Sequence, residues 1–214
     1  MTEAVSLILS ELIGRYPQLA QCQGDIAAAY ETLAAMYSEG GILLIAGNGG
    51  SASDAEHIVG ELMKSFVKAR PVNVEYAEAL RAVDPEMGGI LAERLQGTLP
   101  AIALDGEIAL STAYMNDCDP LLCFAQQVNG YGTPCDAFLG ISTSGNSRNV
   151  LYAAVAAKAK GMKVIGLTGA APSKLSSLAD VCIRVPESQT YKIQELHLPV
   201  YHALCMMLEA TFWA

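Results

Sequence analysis

"ILLIAGNGGSASDAEHIVGE", residues 42–61, reads as a strand, a glycine-rich turn and a helix. The run 42–46 is apolar throughout instead of alternating, which marks a strand covered on both faces, as in a parallel sheet. The same unit recurs downstream. Further apolar runs lie at "AIAL" (101–104), "AFLGI" (137–141), "KVIGLT" (163–168) and "VCIRV" (181–185). Helix-like stretches at 51–64, 119–129 and 147–160 separate them, and a last helix covers about 190–212. Alternating strand and helix predicts an α/β fold with a parallel sheet between helical layers. In such sheets ligands bind outside the carboxyl ends of the strands. The polar loops after the first and third strands both fall there.

Upstream, Val5, Ile8, Leu9 and Leu12, then Ile26, Tyr30, Leu33 and Met36, recur at helical spacing, giving amphipathic helices at 3–14 and 24–38. Residues 65–99 break the rhythm. They are too long for an ordinary connection and hold helices of their own, so they read as an insertion or cap. The whole chain, 1–214, reads as one domain, with residues 1–40 forming N-terminal helices.

The 214 residues are 52% hydrophobic and only 16% charged, with a mean hydropathy of +0.30. That richness predicts apolar surface covered by partner subunits. A formal net charge of −9 argues against nucleic acid as a partner. The six cysteines are scattered without a C-x-x-C pair and read as reduced thiols. The N-terminal stretch has an acid where a signal peptide has its basic region, and no segment has transmembrane character. A cytoplasmic protein without a membrane partner is expected.

Gly47, Gly49 and Ala52 satisfy a loose dinucleotide pattern. The acid expected about 20 residues further on is not evident, and there is no Walker lysine. The turn exposes backbone amides without naming a cofactor. "GISTSGNSRNV" (140–150) is more specific. Ser142, Thr143, Ser144 and Ser147 surround Gly145 and Asn146 just before a helix. Free N–H groups, the positive helix end and these hydroxyls suit a phosphate-sized anion better than a simple serine cap. His57 and Glu61, at i and i+4, share a helical face. The spacing suits either two ligands of one metal or an acid/base pair.

Taken together, "AGNGGSASDAEH…GE", "STAYMND", "GISTSGNSRNV", "GLTG" and "YKIQELHLPVYHALCMMLE" resemble the sugar isomerase (SIS) fold and its phosphoheptose isomerase branch. The match spans most of the chain outside 65–99. It implies a three-layer, doubly wound, flavodoxin-like sheet of five parallel strands, a homotetramer with sites at subunit interfaces, and isomerisation of sedoheptulose 7-phosphate to an aldoheptose phosphate. It implies a divalent metal, usually zinc, on His57, Glu61, Gln194 and His202. The phosphate grip falls on Ser142, Thr143, Ser144 and Ser147, and sugar contacts fall on Asn48, Gly49, Gly50, Ser51, Asn116, Asp117 and Gln194. After Asn116–Asp117 the chain departs from the family's Gly-Phe type of turn, continuing as "CDPLLCF". SIS folds also serve as sugar-phosphate sensors or protein-binding adaptors. Retention of all four metal-site residues favours an enzyme, since fold alone does not decide function.

Aldose–ketose isomerisation moves a proton between adjacent carbons through an enediol and needs a base, a proton source and a hold on the carbonyl oxygen. Glu61 is assigned as base and His202 as its acid/base partner; His197 is assigned a structural role. On a continuous helix the Cα atoms of Gln194 and His202 lie ~12 Å apart. Either Pro199 kinks the helix between them, or the site draws residues from neighbouring chains.

Overall fold

The computed structural model describes residues 1–213. Five parallel strands, β1 (Leu43–Ala46), β2 (Ala101–Ala103), β3 (Ala137–Ile141), β4 (Lys163–Thr168) and β5 (Val181–Arg184), form one sheet in the order β2-β1-β3-β4-β5. The register runs from Leu43 opposite both Ala101 and Ala137 to Ile165 opposite Val181. Successive side chains of a strand point to opposite faces, and here each face has its own core. Leu43, Ile45, Leu139, Ile141 and Ile165 pack on one side, while Leu44, Ala46, Phe138 and Val164 pack on the other. That two-sided burial is why the strands are apolar without alternation.

The first core is closed by α1 (Glu3–Arg15), α2 (Gln23–Ser38), α3 (Gly50–Met63) and α10 (Thr190–Phe212). The second is closed by α7 (Cys123–Tyr131), α8 (Arg148–Ala159) and α9 (Lys174–Leu178). Successive crossovers leave β1 and β3 for opposite faces, so a crevice opens at the carboxyl ends of these adjacent strands. The glycine loop follows β1 and the serine loop follows β3, and both border that crevice.

Residues 65–99 contain α4 (Val74–Val83) and α5 (Pro85–Arg94), each started by a side-chain cap. Asn73 Oδ1 accepts from Tyr76 N–H at 2.8 Å, and Asp84 Oδ1 from Met87 N–H at 2.7 Å. The two helices pack on each other, and Gly88 is the single buried residue of the pair. An isolated antiparallel bridge, Pro71 to Gln96, closes the base of this hairpin.

Several elements differ from the sequence reading, which gave none at α9 or at the 3-10 stretch Pro17–Cys22. The stretch 108–117, given no element there, is α6 (Ile108–Asp117). None of its residues is buried, so it carries no apolar face for periodicity to reveal. The segment 119–129 divides into a short 3-10 turn, Pro120–Leu122, and α7. Pro120 suits the first position of a turn because its missing N–H would be unpaired there. α10 runs unbroken through Pro199 for 23 residues. Among the described residues no helix is long and apolar enough to cross a membrane.

Candidate active site

α3 starts at the glycine loop and carries His57 and Glu61 on one face, with His57 Nε2 3.3 Å from Glu61 Oε1. α10 lies against α3 and brings in His202, whose Nε2 is 3.5 Å from His57 Nε2. The two rings meet edge to face at 4.9 Å between centroids, and Phe66 flanks His202 at 5.5 Å. Burial, and then the neighbouring His57, push the His202 pKa below its ordinary value, while Glu61 acts in the opposite direction. His202 is thereby biased towards neutral imidazole, a form able to ligate a metal or accept a proton. Glu61 is 9% exposed, and Lys64 Nζ sits 3.1 Å from its Oε2, leaving Oε1 facing His57.

The end of α3 is held by residues the sequence reading did not single out. Arg70, 1% exposed, donates from Nη2 to the Glu61 carbonyl at 3.0 Å and from Nη1 to the Leu62 carbonyl at 2.8 Å. Its Nε pairs with Glu209 Oε1 at 2.6 Å. Burial alone would push Glu209 up, but the N–H groups of Phe66, Val67 and Lys68 and the Arg70 guanidinium hold it below the usual carboxylate range. Behind His57, Tyr201 Oη lies 3.0 Å from Nδ1 and 3.3 Å from Asp54 Oδ1. Burial raises the Asp54 pKa, against the opposing pull of Tyr201 and His57. Asp54 had one local signal, its position three residues before His57; Arg70 and Glu209, 139 positions apart, had none.

Gln194 is brought to the glycine loop. A Cβ on Gly50 would stand 2.6 Å from Gln194 Nε2, so only glycine permits this approach. Asn48 faces the serine-loop helix, its amide paired both ways with that of Asn149 at 3.0 and 2.8 Å. Ser51 is buried at the first turn of α3. In the serine loop, Ser142 and Ser147 Oγ atoms lie 3.0 Å apart, and Ser144 Oγ accepts from Asn146 N–H at 3.2 Å. Ser147 stands at the N-cap of α8 and makes no side-chain capping bond. Gly145 turns the loop with φ of 62°, and Gly169 N–H bonds the Thr143 carbonyl at 3.1 Å. Asn116 and Asp117, exposed at the end of α6, pair with each other at 2.8 Å. His197 is fully buried, its pKa pushed down to about 4 by burial, so it sits neutral in the core.

The donors suit a divalent metal in type. Ligands bound at ~2.0–2.1 Å in a tetrahedron lie ~3.3 Å apart, close to the spacings from His57 Nε2 to Glu61 Oε1 and to His202 Nε2. Among the described residues, however, no group of three or more histidine, cysteine, aspartate or glutamate side chains is placed to hold a metal ion, so His57 with one neighbour at a time meets that spacing. A cleft of about 330 Å³ opens beside His202, lined by Glu11, Arg15, Tyr16, Phe66 and Met206 among others, and does not reach the serine loop.

A five-stranded parallel sheet in flavodoxin order, with a hydroxyl-rich loop after β3 and a His–Glu–His group on α3 and α10, is the arrangement of a sugar isomerase domain. Residues 77–169 match the SIS domain family. The chain is 38% identical over 192 residues to a phosphoheptose isomerase of Rhodospirillum rubrum, covering 90% of this chain and 88% of that one. Its fold is similar to the phosphoheptose isomerase of Francisella tularensis, with a TM-score of 0.75, 30% identity and coverage of 98% and 100% of the two chains. The enzyme from Neisseria gonorrhoeae is similar at a TM-score of 0.73 and 30% identity, covering 97% and 98%. The chain belongs to the phosphoheptose isomerase family, and it is an isomerase.

Proposed function

We propose that the protein interconverts sedoheptulose 7-phosphate, or a closely related ketose phosphate, with its aldose isomer through an enediol. The observation that supports this reading is the convergence of Glu61 Oε1 and His202 Nε2 on His57 Nε2, at 3.3 and 3.5 Å, in a chain that also carries a hydroxyl-rich helix N-terminus after β3. Ser142, Thr143, Ser144 and Ser147 hold the phosphate, with the α8 dipole and its first N–H groups adding attraction. Backbone amides of Gly49, Gly50 and Ser51 and the side chains of Asn48 and Gln194 orient the sugar. Asn116 and Asp117 contact its far end.

Glu61 removes a proton from C1 while His202 supplies one to the C2 oxygen, giving the enediol. His202 then takes the O1 proton as Glu61 returns a proton to C2, which leaves the carbonyl at C1. Lys64 holds Oε2 of Glu61, so Oε1 is the basic atom. His57, Glu61, Gln194 and His202 have the donor types for a divalent ion, zinc by preference. Bound there, it would act as a Lewis acid on the substrate oxygens.

A homotetramer with sites at subunit interfaces is part of the same proposal. Within one chain the cleft at His202 stays separate from the serine loop, and Leu198, on α10 beside it, is 41% exposed. A facing subunit would cover this apolar surface and complete the site.

Incubation with sedoheptulose 7-phosphate and a panel of ketose phosphates in deuterated water tests the chemistry. The expected result is an aldose phosphate labelled at C2. Neither product nor label with any of them would overturn the proposal.

A further inference from the structure

His57 touches Tyr201 besides Glu61 and His202, and Tyr201 leads on to Asp54, which His57 does not touch. Tyr201, 2% exposed, packs edge to face with the His57 ring at 5.5 Å between centroids. Its Oη lies 3.0 Å from His57 Nδ1 and 3.3 Å from Asp54 Oδ1. A tyrosine hydroxyl has one proton to donate, and a carboxylate accepts only. With Asp54 ionised, the Tyr201 proton goes to Asp54, and the remaining lone pair on Oη accepts the His57 Nδ1–H. The neutral imidazole then carries its proton on Nδ1 and leaves Nε2 bare.

Nε2 is the nitrogen that faces Glu61 Oε1 at 3.3 Å and His202 Nε2 at 3.5 Å. The competing arrangement puts the proton on Nε2 and donates it to Glu61. That contact is longer than the one to Tyr201, and the Glu61 carboxylate already receives the Lys64 ammonium at 3.1 Å. We propose that Asp54 and Tyr201 are positioning residues which hold His57 in the tautomer with a bare Nε2, ready to accept a metal ion or a proton. The proposal rests on the reading of His57 as a ligand in the isomerase site. It extends that reading to two side chains which touch neither the substrate nor the ion. Outer partners of this kind fix the tautomer of ligating histidines and change metal affinity ~10–100-fold when removed.

The test uses the full chain, metal-free and labelled with 15N-histidine, at a pH about two units above the ordinary imidazole value of ~6.5. Long-range 1H–15N spectra separate a protonated from a bare ring nitrogen, and a His57→Gln variant identifies the His57 signals. The expected result is a protonated Nδ1 and a bare Nε2. Tyr201→Phe keeps the ring in the core and removes Oη, so both tautomers appear and Zn²⁺ affinity, measured by chelator competition, falls ~10–100-fold. Asp54→Asn lets an amide donate to Tyr201, whose proton then turns to Nδ1, and the population moves towards Nε2–H. A wild-type His57 protonated at Nε2 overturns the proposal. So does an unchanged tautomer in both variants. If the wild-type chain binds no Zn²⁺, the metal-site reading fails, while the nitrogen signals still decide what Asp54 and Tyr201 do.

Discussion

Arg70 and Glu209 form an ion pair with both side chains withdrawn from solvent, Nε to Oε1 at 2.6 Å, across 139 positions of sequence. The guanidinium spends its other donors on the carbonyls of Glu61 and Leu62, and Glu209 also accepts from the N–H groups of Phe66, Val67 and Lys68. The pair therefore ties the last turn of α3 and the chain beyond it to α10, the two helices that carry His57, Glu61 and His202. Removing Arg70 strands a buried carboxylate, which destabilises by about 3–5 kcal/mol. Arg70→Met is expected to show that loss in urea unfolding, together with reduced turnover in the fraction that remains folded. Unfolding at an unchanged urea midpoint would show that the pair holds nothing.

The strands and the broad order of helices were legible because two-sided burial makes β1 and β3 apolar at every position. His57 and Glu61 were legible as a one-turn pair, and the serine loop by its density of hydroxyls ahead of a helix. Other features leave no local trace. Arg70 looks like any basic residue in a loop until α10 brings Glu209 to it. α6 buries nothing, so its sequence has no face. The pairing of Asn48 with Asn149 depends on β1 and β3 being neighbours, which hydrophobic patterning alone does not specify.

His197 makes stability depend on pH. Its folded pKa of about 4 lies below the ordinary imidazole value of 6.5, so between these values the unfolded chain binds the proton and the folded chain does not. The stabilisation is full above pH 6.5 and is lost as pH falls towards 4, amounting to about 3 kcal/mol. His197→Leu removes that dependence. Urea unfolding at a series of pH values is expected to give a shallower acid decline for the variant than for wild type. Parallel declines would show that His197 is not the group that titrates.

Gly50 is small because Gln194 lies over it. A methyl group there would stand 2.6 Å from Nε2. The displaced atom is the end of a flexible side chain, so Gly50→Ala is expected to leave Tm nearly unchanged. It moves Gln194 off its position, and misplacement of ~1 Å costs up to ~100-fold in rate. Kinetics and thermal melting on the same sample check this: a large fall in kcat/KM with little change in Tm is expected, and wild-type kinetics would remove Gln194 from the site.

Ser144→Ala separates binding from chemistry. The hydroxyl accepts from Asn146 N–H at 3.2 Å, and in the proposed cup its own proton would go to the anion. Loss of one hydrogen bond to a charged group is worth about 1.5–3 kcal/mol. Inorganic phosphate is expected to bind at least tenfold more weakly by calorimetry, roughly the lower end of that range. Substrate KM is expected to rise while kcat changes little. Unchanged phosphate affinity would count against the serine cup.

Glu61→Gln addresses the proton transfer. The amide keeps the shape of the side chain, so its place beside His57 and Lys64 is retained, but it has no basic oxygen. A general base contributes ~10²–10⁴-fold, and the variant is expected to lose at least that much turnover and to stop incorporating deuterium into product. Phosphate binding at the serine loop, on β3 and α8 instead of α3, is expected to stay at the wild-type level. Metal content and exchange have to be read together, because Glu61 is also assigned as a ligand. A variant that holds its zinc yet neither turns over nor exchanges places the loss in proton transfer. If Glu61→Gln keeps turnover within a few-fold of wild type, the base is another group, and His202, whose pKa is already drawn down by burial, becomes the first residue to replace.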